Sequence, residues 1–317
     1  GSIGAQSKVK NLTVDETCSV TGYQHVGGVI GHSSQAGSWD EVEGIISYAT
    51  VTAYPTNDGG ASDAGVGGIV GNYNDVTYGT MTNCAFLGKV SGTSSAMLSG
   101  WYGNTQTSGC PPGLDHTFQY TVTGCWSVAD KPEETALTQC FGRAAGTGTC
   151  VKYNNCATLV GEQVRNVTTE DVASGALAWI INGESGENPA WFQKLGTDSQ
   201  PTLQGTDIVY MVGTKNCDGT DTGDFGFSNV NTGFTQIPHQ PDPNTGLCSV
   251  CGQLPATEDG WYEIATARQL RWFGYYVNHG NNSGKNARLV ADIDMEGLVG
   301  YQPVGEYHAE DAGRRYS

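Results

Sequence analysis

Long apolar runs are missing from this chain. Nowhere do about 18 apolar residues follow one another, which excludes a membrane-spanning helix. Basic residues are scarce too: 15 Lys and Arg stand against 32 Asp and Glu, a net charge of −17. A surface so acidic repels phosphate backbones, which argues against nucleic acid as a partner. Nucleophile signatures are also lacking. No Gly-x-Ser-x-Gly elbow occurs, and His25, His32, His116, His279 and His308 stand in no Cys or Ser motif. The glycine pairs are followed by no Lys-Ser/Thr, so they do not read as a phosphate cradle. No signal peptide is visible, as expected of a mature or excised chain.

What is present is glycine, 46 residues in 317, with many Thr, Ser, Asn and Val. That is the makeup of a turn-dense β protein, long enough to bury one large core or several small ones. Ten cysteines occur: Cys18, Cys84, Cys110, Cys125, Cys140, Cys150, Cys156, Cys217, Cys248 and Cys251. Their density in an acidic, lysine-poor chain favours an oxidising, extracellular or cell-surface location, with disulfides among the first seven. Spacing alone does not give their connectivity.

An internal repeat is legible. Val26-Gly27-Gly28-Val29-Ile30-Gly31 recurs forty positions later as Val66-Gly67-Gly68-Ile69-Val70-Gly71. Each copy is followed by a polar loop and a short strand, Gly44–Val51 and then Met81–Val90. Weaker copies follow at Ser99–Gly103, Thr123–Val128 and Asn154–Thr158. Short β runs separated by glycine corners at such a period predict a β-solenoid or β-helix. Two helices interrupt this pattern. Thr169 to Asn182 carries Ala173, Ala176, Leu177, Ile180 and Ile181 at helical spacing, with Gly183 as a stop. Thr266 to His279 opens on a Thr266-x-x-Gln269 capping box and carries the stripe Leu270, Phe273, Val277. Both are expected to cap the solenoid and shield its last sheet edge.

The paired glycine blocks and their Asn-Cys-Ala strands resemble the GLUG-type repeats of large bacterial surface proteins. Trp261–Asn278 with Leu289-Val290-Ala291-Asp292-Ile293-Asp294-Met295 resembles the opening segment of such modules, and Thr168–Leu203 their exit segment. The resemblance implies a cell-surface or extracellular location and adhesive or structural roles, and it carries over no catalytic residue. The order here is rotated, with the opening segment last. Circular permutation, a tail that completes the next subunit, and one period of a tandem array each account for that rotation.

The two ends fit this reading. The tail, Asp292-Ile293-Asp294 to Tyr316-Ser317, runs into the head, Gly1-Ser2-Ile3 to Lys8-Val9-Lys10-Asn11-Leu12, as two consecutive strand-and-turn units. Gly1, Ser2, Ile3, Val9, Leu12, Tyr316 and Ser317 are therefore the expected subunit-joining residues. Gly1-Ser2 is equally what tag cleavage leaves behind.

The strongest chemical constellation is Cys217, His239, Cys248 and Cys251. Cys248-Ser249-Val250-Cys251-Gly252 is a knuckle that aims two thiolates at one tetrahedral metal, and His239 lies nine residues upstream. A structural zinc is one reading. A disulfide from Cys217 to Cys248 or Cys251 is the second, and a redox Cys-x-x-Cys the third. Asp218, Asp221 and Asp224 could serve calcium but lack EF-hand spacing, and read more simply as turn acids. Asp292 and Asp294 are expected to alternate on one strand, as capping or turn acids or, less simply, as a catalytic pair. Trp101, Tyr102 and Trp126 are candidates for stacking on a sugar.

The expectation is a mainly-β protein with β-solenoid repeats, two capping α-helices and a small Cys/His-organised module. Residues 1–160 form the glycine-rich repeats, 161–214 the exit segment, 215–255 the Cys/His module, and 256–317 a capping helix with first solenoid strands. Residues 1–14 of the same or a neighbouring copy complete those strands. The leading function is a non-enzymatic subunit of an extracellular bacterial filament or surface array, with head-to-tail copies of itself as partners. A carbohydrate- or host-binding adhesin module, with cell-surface or host glycans as partners, is the second reading. A β-helix polysaccharide-cleaving enzyme is the third.

Overall fold

The computed structural model describes residues 1–4, 6–33, 39–54, 65–73, 78–92, 94–96, 98–102, 120–128, 151–159, 164–279, 282 and 284–305. The protein is mainly β, built on parallel sheets. It divides into two compact units, Gly1–Val212 with Gly226–Asn231, and Gly213–Phe225 with Thr232–Ser317.

In the first unit, short apolar runs closed by Gly or Asn become strands that stack on their counterparts in the next repeat. Lys8–Val14, Trp39–Ser47, Tyr78–Thr82, Tyr120–Thr123 and Val151–Asn154 pair in parallel, in that order. Their register sets Val9, Val42, Met81, Val122 and Tyr153 in one column. Val42, Met81 and Val122 are fully buried there, so each repeat adds a layer to one apolar core. The glycine blocks stack likewise: Val26 pairs with Val66 and Gly27 with Gly67, and Gly65–Gly67 pairs in turn with Ser94–Ala96.

Each layer turns a corner just before a core residue, and the corner needs a left-handed backbone. Asn11, Gly44, Asn83, Gly124 and Asn155 all have φ between 52° and 65°. Only Gly, and Asn through its short polar side chain, adopt that region readily. A Cβ on Gly44 would lie 2.7 Å from Oδ1 of Asn11, and one on Gly124 2.5 Å from Oδ1 of Asn83. After four of these corners the next residue, Ile45, Cys84, Cys125 or Cys156, is buried, whereas Leu12, after Asn11, is exposed.

The cysteines of this column carry no disulfide. Cys18, Cys84, Cys125 and Cys156 are free thiols, and Cys110, Cys140 and Cys150 lie outside the described residues. Disulfide bonding is therefore corrected for these four. Each stacked thiol is occupied as a donor instead: Cys84 Sγ to Thr82 O at 3.3 Å, Cys125 Sγ to Thr123 O at 3.4 Å, and Cys156 Sγ to Asn154 O at 3.2 Å.

The helix expected over residues 169–182 is two helices, α1 (Thr169–Ser174) and α2 (Ala176–Ile181), broken at Gly175 with φ 97°. The break has a packing cause. A Cβ at Gly175 would come within 2.8 Å of Leu195 and 2.9 Å of Val209, so the backbone there lies against other side chains. Thr168 and Asp171 form a capping box at the start of α1. Val172, Leu177, Ile180 and Ile181 share a core with Trp126, Ala157 and Trp191. The two indoles meet edge to face with centroids 5.7 Å apart.

In the second unit, α3 (Ala267–Asn278) begins with the expected Thr266/Gln269 capping box and ends at His279. It packs Phe273 and Val277 against Tyr262 and Ile264 of the two-stranded parallel sheet Trp261–Ile264 and Asn286–Leu289. Residues 292–295 form no strand, which corrects the expectation of Asp292 and Asp294 alternating on one. Among the described residues no strand pairs with them. Asp294 Oδ1 instead accepts the Glu296 N–H at 2.8 Å, the local bond of a turn acid. Farther along, the buried Asn278 holds the tail as a paired strand would: its Nδ2 donates to Pro303 O at 2.9 Å and its Oδ1 accepts from Gly305 N at 2.9 Å.

Candidate metal centre

The second unit brings Cys217, His239, Cys248 and Cys251 together from segments 31 and 12 residues apart in sequence. Their ligand atoms all lie within 4.8 Å of one another. Cys217 sits in a tight turn, with Asn216 N bonded to Thr220 O and Gly219 N to Asn216 O, each at 2.8 Å; Gly219 supplies the positive φ of 85°. The other two thiols belong to a hairpin. Pro241 and Cys248 form an antiparallel bridge, and Ser249 N bonds Gln240 O at 2.8 Å. Gly252 N closes the knuckle on Cys248 O at 2.8 Å, with φ 71° at Gly252. That turn is why Cys-x-x-Cys-Gly carries its glycine: a side chain there would strain the backbone that points both sulfurs inward.

Cys217 Sγ and Cys248 Sγ are 3.4 Å apart, and Cys251 Sγ is 3.5 Å from His239 Nδ1. A disulfide holds its sulfurs at about 2.05 Å, so the cysteines are not bonded in this arrangement. Tetrahedral zinc, with bonds of about 2.3 Å to sulfur and about 2.0 Å to nitrogen, spaces its ligands by roughly 3.5 to 3.8 Å. The group therefore has the donor chemistry and compactness to hold a metal ion.

The thiols are electrostatically unequal. Burial, reinforced by hydrogen bonds with Cys251 and Cys248, pushes the Cys217 thiol up to about 12. Burial opposes ionisation of Cys248 as well. Hydrogen bonds from the backbone N–H groups of Cys251 and Gln240, with one from His239, outweigh it and bring that thiol down to about 5. Gln240 N lies 3.4 Å from Cys248 Sγ. Such N–H···S bonds are the outer layer that orients a ligating sulfur. Gln240 is a supporting residue that sequence reasoning missed; its position one residue after His239 was the available clue. A divalent cation would favour the thiolate form of all three cysteines and remove this inequality.

The remaining site candidates fall elsewhere. Asp218 stands outside the cluster and accepts from Thr220 N at 3.0 Å, the local bond of a turn acid. Asp224 accepts from Thr214 Oγ1 at 3.0 Å across neighbouring strands. Trp126 is fully buried against Trp191 and has no face to offer a sugar, so it is withdrawn as a stacking residue. The side chains of Trp101 and Tyr102, and residues Tyr316 and Ser317, lie outside those described. At the head, Ser2 and Ile3 pair with His32 and Ser33, and Gly1 O accepts from Gly31 N at 2.9 Å. Val9 continues the core column, and Leu12 pairs with Ile45.

Comparison of the chain with family models, with curated proteins and with solved structures returned no match.

Proposed function

We propose that the chain is a structural building block of an extracellular filament or tandem surface array, in which the parallel stack of one copy continues into the tail of the next. On this reading the stack is a β-solenoid, α1 and α2 cap it, and Cys217, His239, Cys248 and Cys251 bind a structural zinc that holds the tail-bearing unit together. One observation carries the proposal. Leu12 and Ile45 are paired and equivalent, yet Leu12 is 40% exposed where Ile45 is fully buried. Among the described residues the strand Lys8–Val14 pairs on one edge only, with Trp39–Ser47. An open edge beside a half-covered core residue is a template for another strand. The same chain carries exposed apolar residues beyond α3: Leu289 is 65% exposed and Val299 81%. A tail from a second copy supplies both missing things, backbone partners for the edge and apolar cover for Leu12.

Electron microscopy of the purified protein over a concentration series tests this, with Leu12→Asp alongside. Filaments or head-to-tail oligomers are expected from the parent and only monomers from the variant. Cross-linking should place the head of one copy beside the tail of another. A parent that stays monomeric at all concentrations, with its own tail cross-linked to its own head, would sink the proposal.

A further inference from the structure

Helix α3 has a second face. Opposite Phe273 and Val277 stand Arg268, Arg271, Tyr275 and His279, all exposed, at helical spacings of three and four. With Trp272 and Gln302 they line an open groove of ≈ 530 Å³, inside the range of about 300–1,000 Å³ typical of small-ligand sites. Leu247 and Gly252, from the loop that carries the metal-site cysteines, form another part of its lining. Gln269 ties that loop to the helix through Gly246 O at 3.3 Å.

The charge of this groove is opposite to that of the chain. The protein has 32 acidic and 15 basic residues, yet two guanidiniums line this groove and no described Asp or Glu does. Asp242 is close enough to Arg268 to feel its charge. Its carboxylate is already engaged, accepting the N–H groups of Asn244 and Thr245 at 2.9 Å each. Arg271 gives Nη1 to Val299 O at 3.0 Å, which orients the guanidinium and leaves donors over. Beside them, the Tyr275 and His279 rings stack with centroids 4.1 Å apart and planes 16° from parallel. Tyr275 is 60% exposed, so the pair offers a flat apolar platform next to the cations.

We propose that this groove binds a carboxylated sugar, as a uronic-acid unit of an acidic polysaccharide. The forked donors of Arg268 and Arg271 match a carboxylate. The C–H face of a pyranose ring fits on Tyr275, and the Gln302 amide with the His279 imidazole serves ring hydroxyls. A rigid ring that carries its carboxylate beside its apolar face matches guanidiniums set next to an aromatic platform, whereas an acidic peptide spaces its carboxylates on flexible side chains that must be ordered on binding. The site stands whether or not copies of the chain assemble.

Calorimetric titration of the intact 317-residue chain with tri-galacturonate tests it, against the fully methyl-esterified trimer and hexaglutamate. The acid trimer is expected to bind, more weakly as salt rises, and the ester to lose about ten-fold or more of that affinity, because it keeps the shape without the charge. Arg268→Ala and Tyr275→Ala should each weaken the acid trimer about ten-fold while zinc content and circular dichroism stay unchanged. Should a variant misfold, NMR shift mapping on the parent decides: perturbations centred on Arg268, Tyr275 and His279 support the site, and perturbations elsewhere refute it. Absence of binding, equal binding of the ester, or tighter binding of hexaglutamate would each overturn it.

Discussion

A Cβ placed on Gly67 would lie 1.9 Å from the carbonyl oxygen of Val70. The neighbouring layer is no more forgiving, since Gly100 N would be 2.5 Å away. Backbone therefore surrounds the site, and no rotamer change can make room. Gly67→Ala is expected to cost about 3 kcal/mol or more, at the severe end for a single substitution. Gly226→Ala is the control: a Cβ there meets nothing within 4 Å, and the change should fall within about 1 kcal/mol of the parent. Urea unfolding of both variants measures the contrast, and equal costs would mean the layers can spread.

Metal content gives a second expectation. Native mass spectrometry should find one zinc per chain, and a strong chelator should remove it. Because the ligands come from separate turns, loss of metal should expose amides across residues 215–225 and 234–252 to hydrogen exchange, while α3, packed on Tyr262 and Ile264, stays protected. Strand Trp39–Ser47 should stay protected. Cys248→Ser should reproduce the chelated state. A chain two hydrogens lighter and free of metal would identify a disulfide instead.

Two buried tryptophans should respond differently to the same change. Trp191 Nε1 donates to Gly124 O at 2.8 Å, whereas Trp126 Nε1 is buried without a hydrogen-bond partner. Phenylalanine removes ring volume at both positions, but only at Trp191 does it orphan a carbonyl. Trp191→Phe is thus expected to destabilise by about 1–3 kcal/mol more than Trp126→Phe. Equal losses in chemical denaturation would show that the carbonyl finds water.

Acid should loosen the first layers through His32. Burial lowers its pKa below the ordinary 6.5, so the folded protein prefers the neutral ring. The unfolded chain takes up the proton more readily. This contribution is therefore complete above about pH 6.5 and is lost as pH falls through that value toward the folded pKa. Melting temperature should drop between pH 7.5 and 5.5, and His32→Gln should shrink that drop. An unchanged pH profile in the variant would assign it to other groups.

Much of the fold is legible in the amino-acid sequence. The forty-residue recurrence of Val-Gly-Gly becomes the pairing of Val26 with Val66 because close packing of layers needs glycine at the same place in each. The capping box of α3 and the Cys/His cluster also follow from local chemistry, and both form as expected. The break at Gly175 is hidden, because Ala173, Ala176 and Leu177 keep helical spacing across it; Leu195 and Val209, distant in sequence, decide it. Asp292 and Asp294 show the opposite failure, an alternating pattern that pairs with no described strand. The groove on α3 escapes notice although Arg268, Arg271, Tyr275 and His279 stand in helical register. A polar face reads as solvated until its neighbours close a concavity around it.

The Asn and Gly corners have a consequence for how such a chain can change. Val9, Val42, Met81, Val122 and Tyr153 stay aligned although 33, 39, 41 and 31 positions separate them. Each layer repeats its corner, its inward side chains and its glycine block, and the differences in length fall between those paired segments. Insertions can therefore accumulate between layers without disturbing the lattice beneath. A stack built this way separates two constraints: the paired segments must keep their residue types, while the segments joining them can vary in length and sequence.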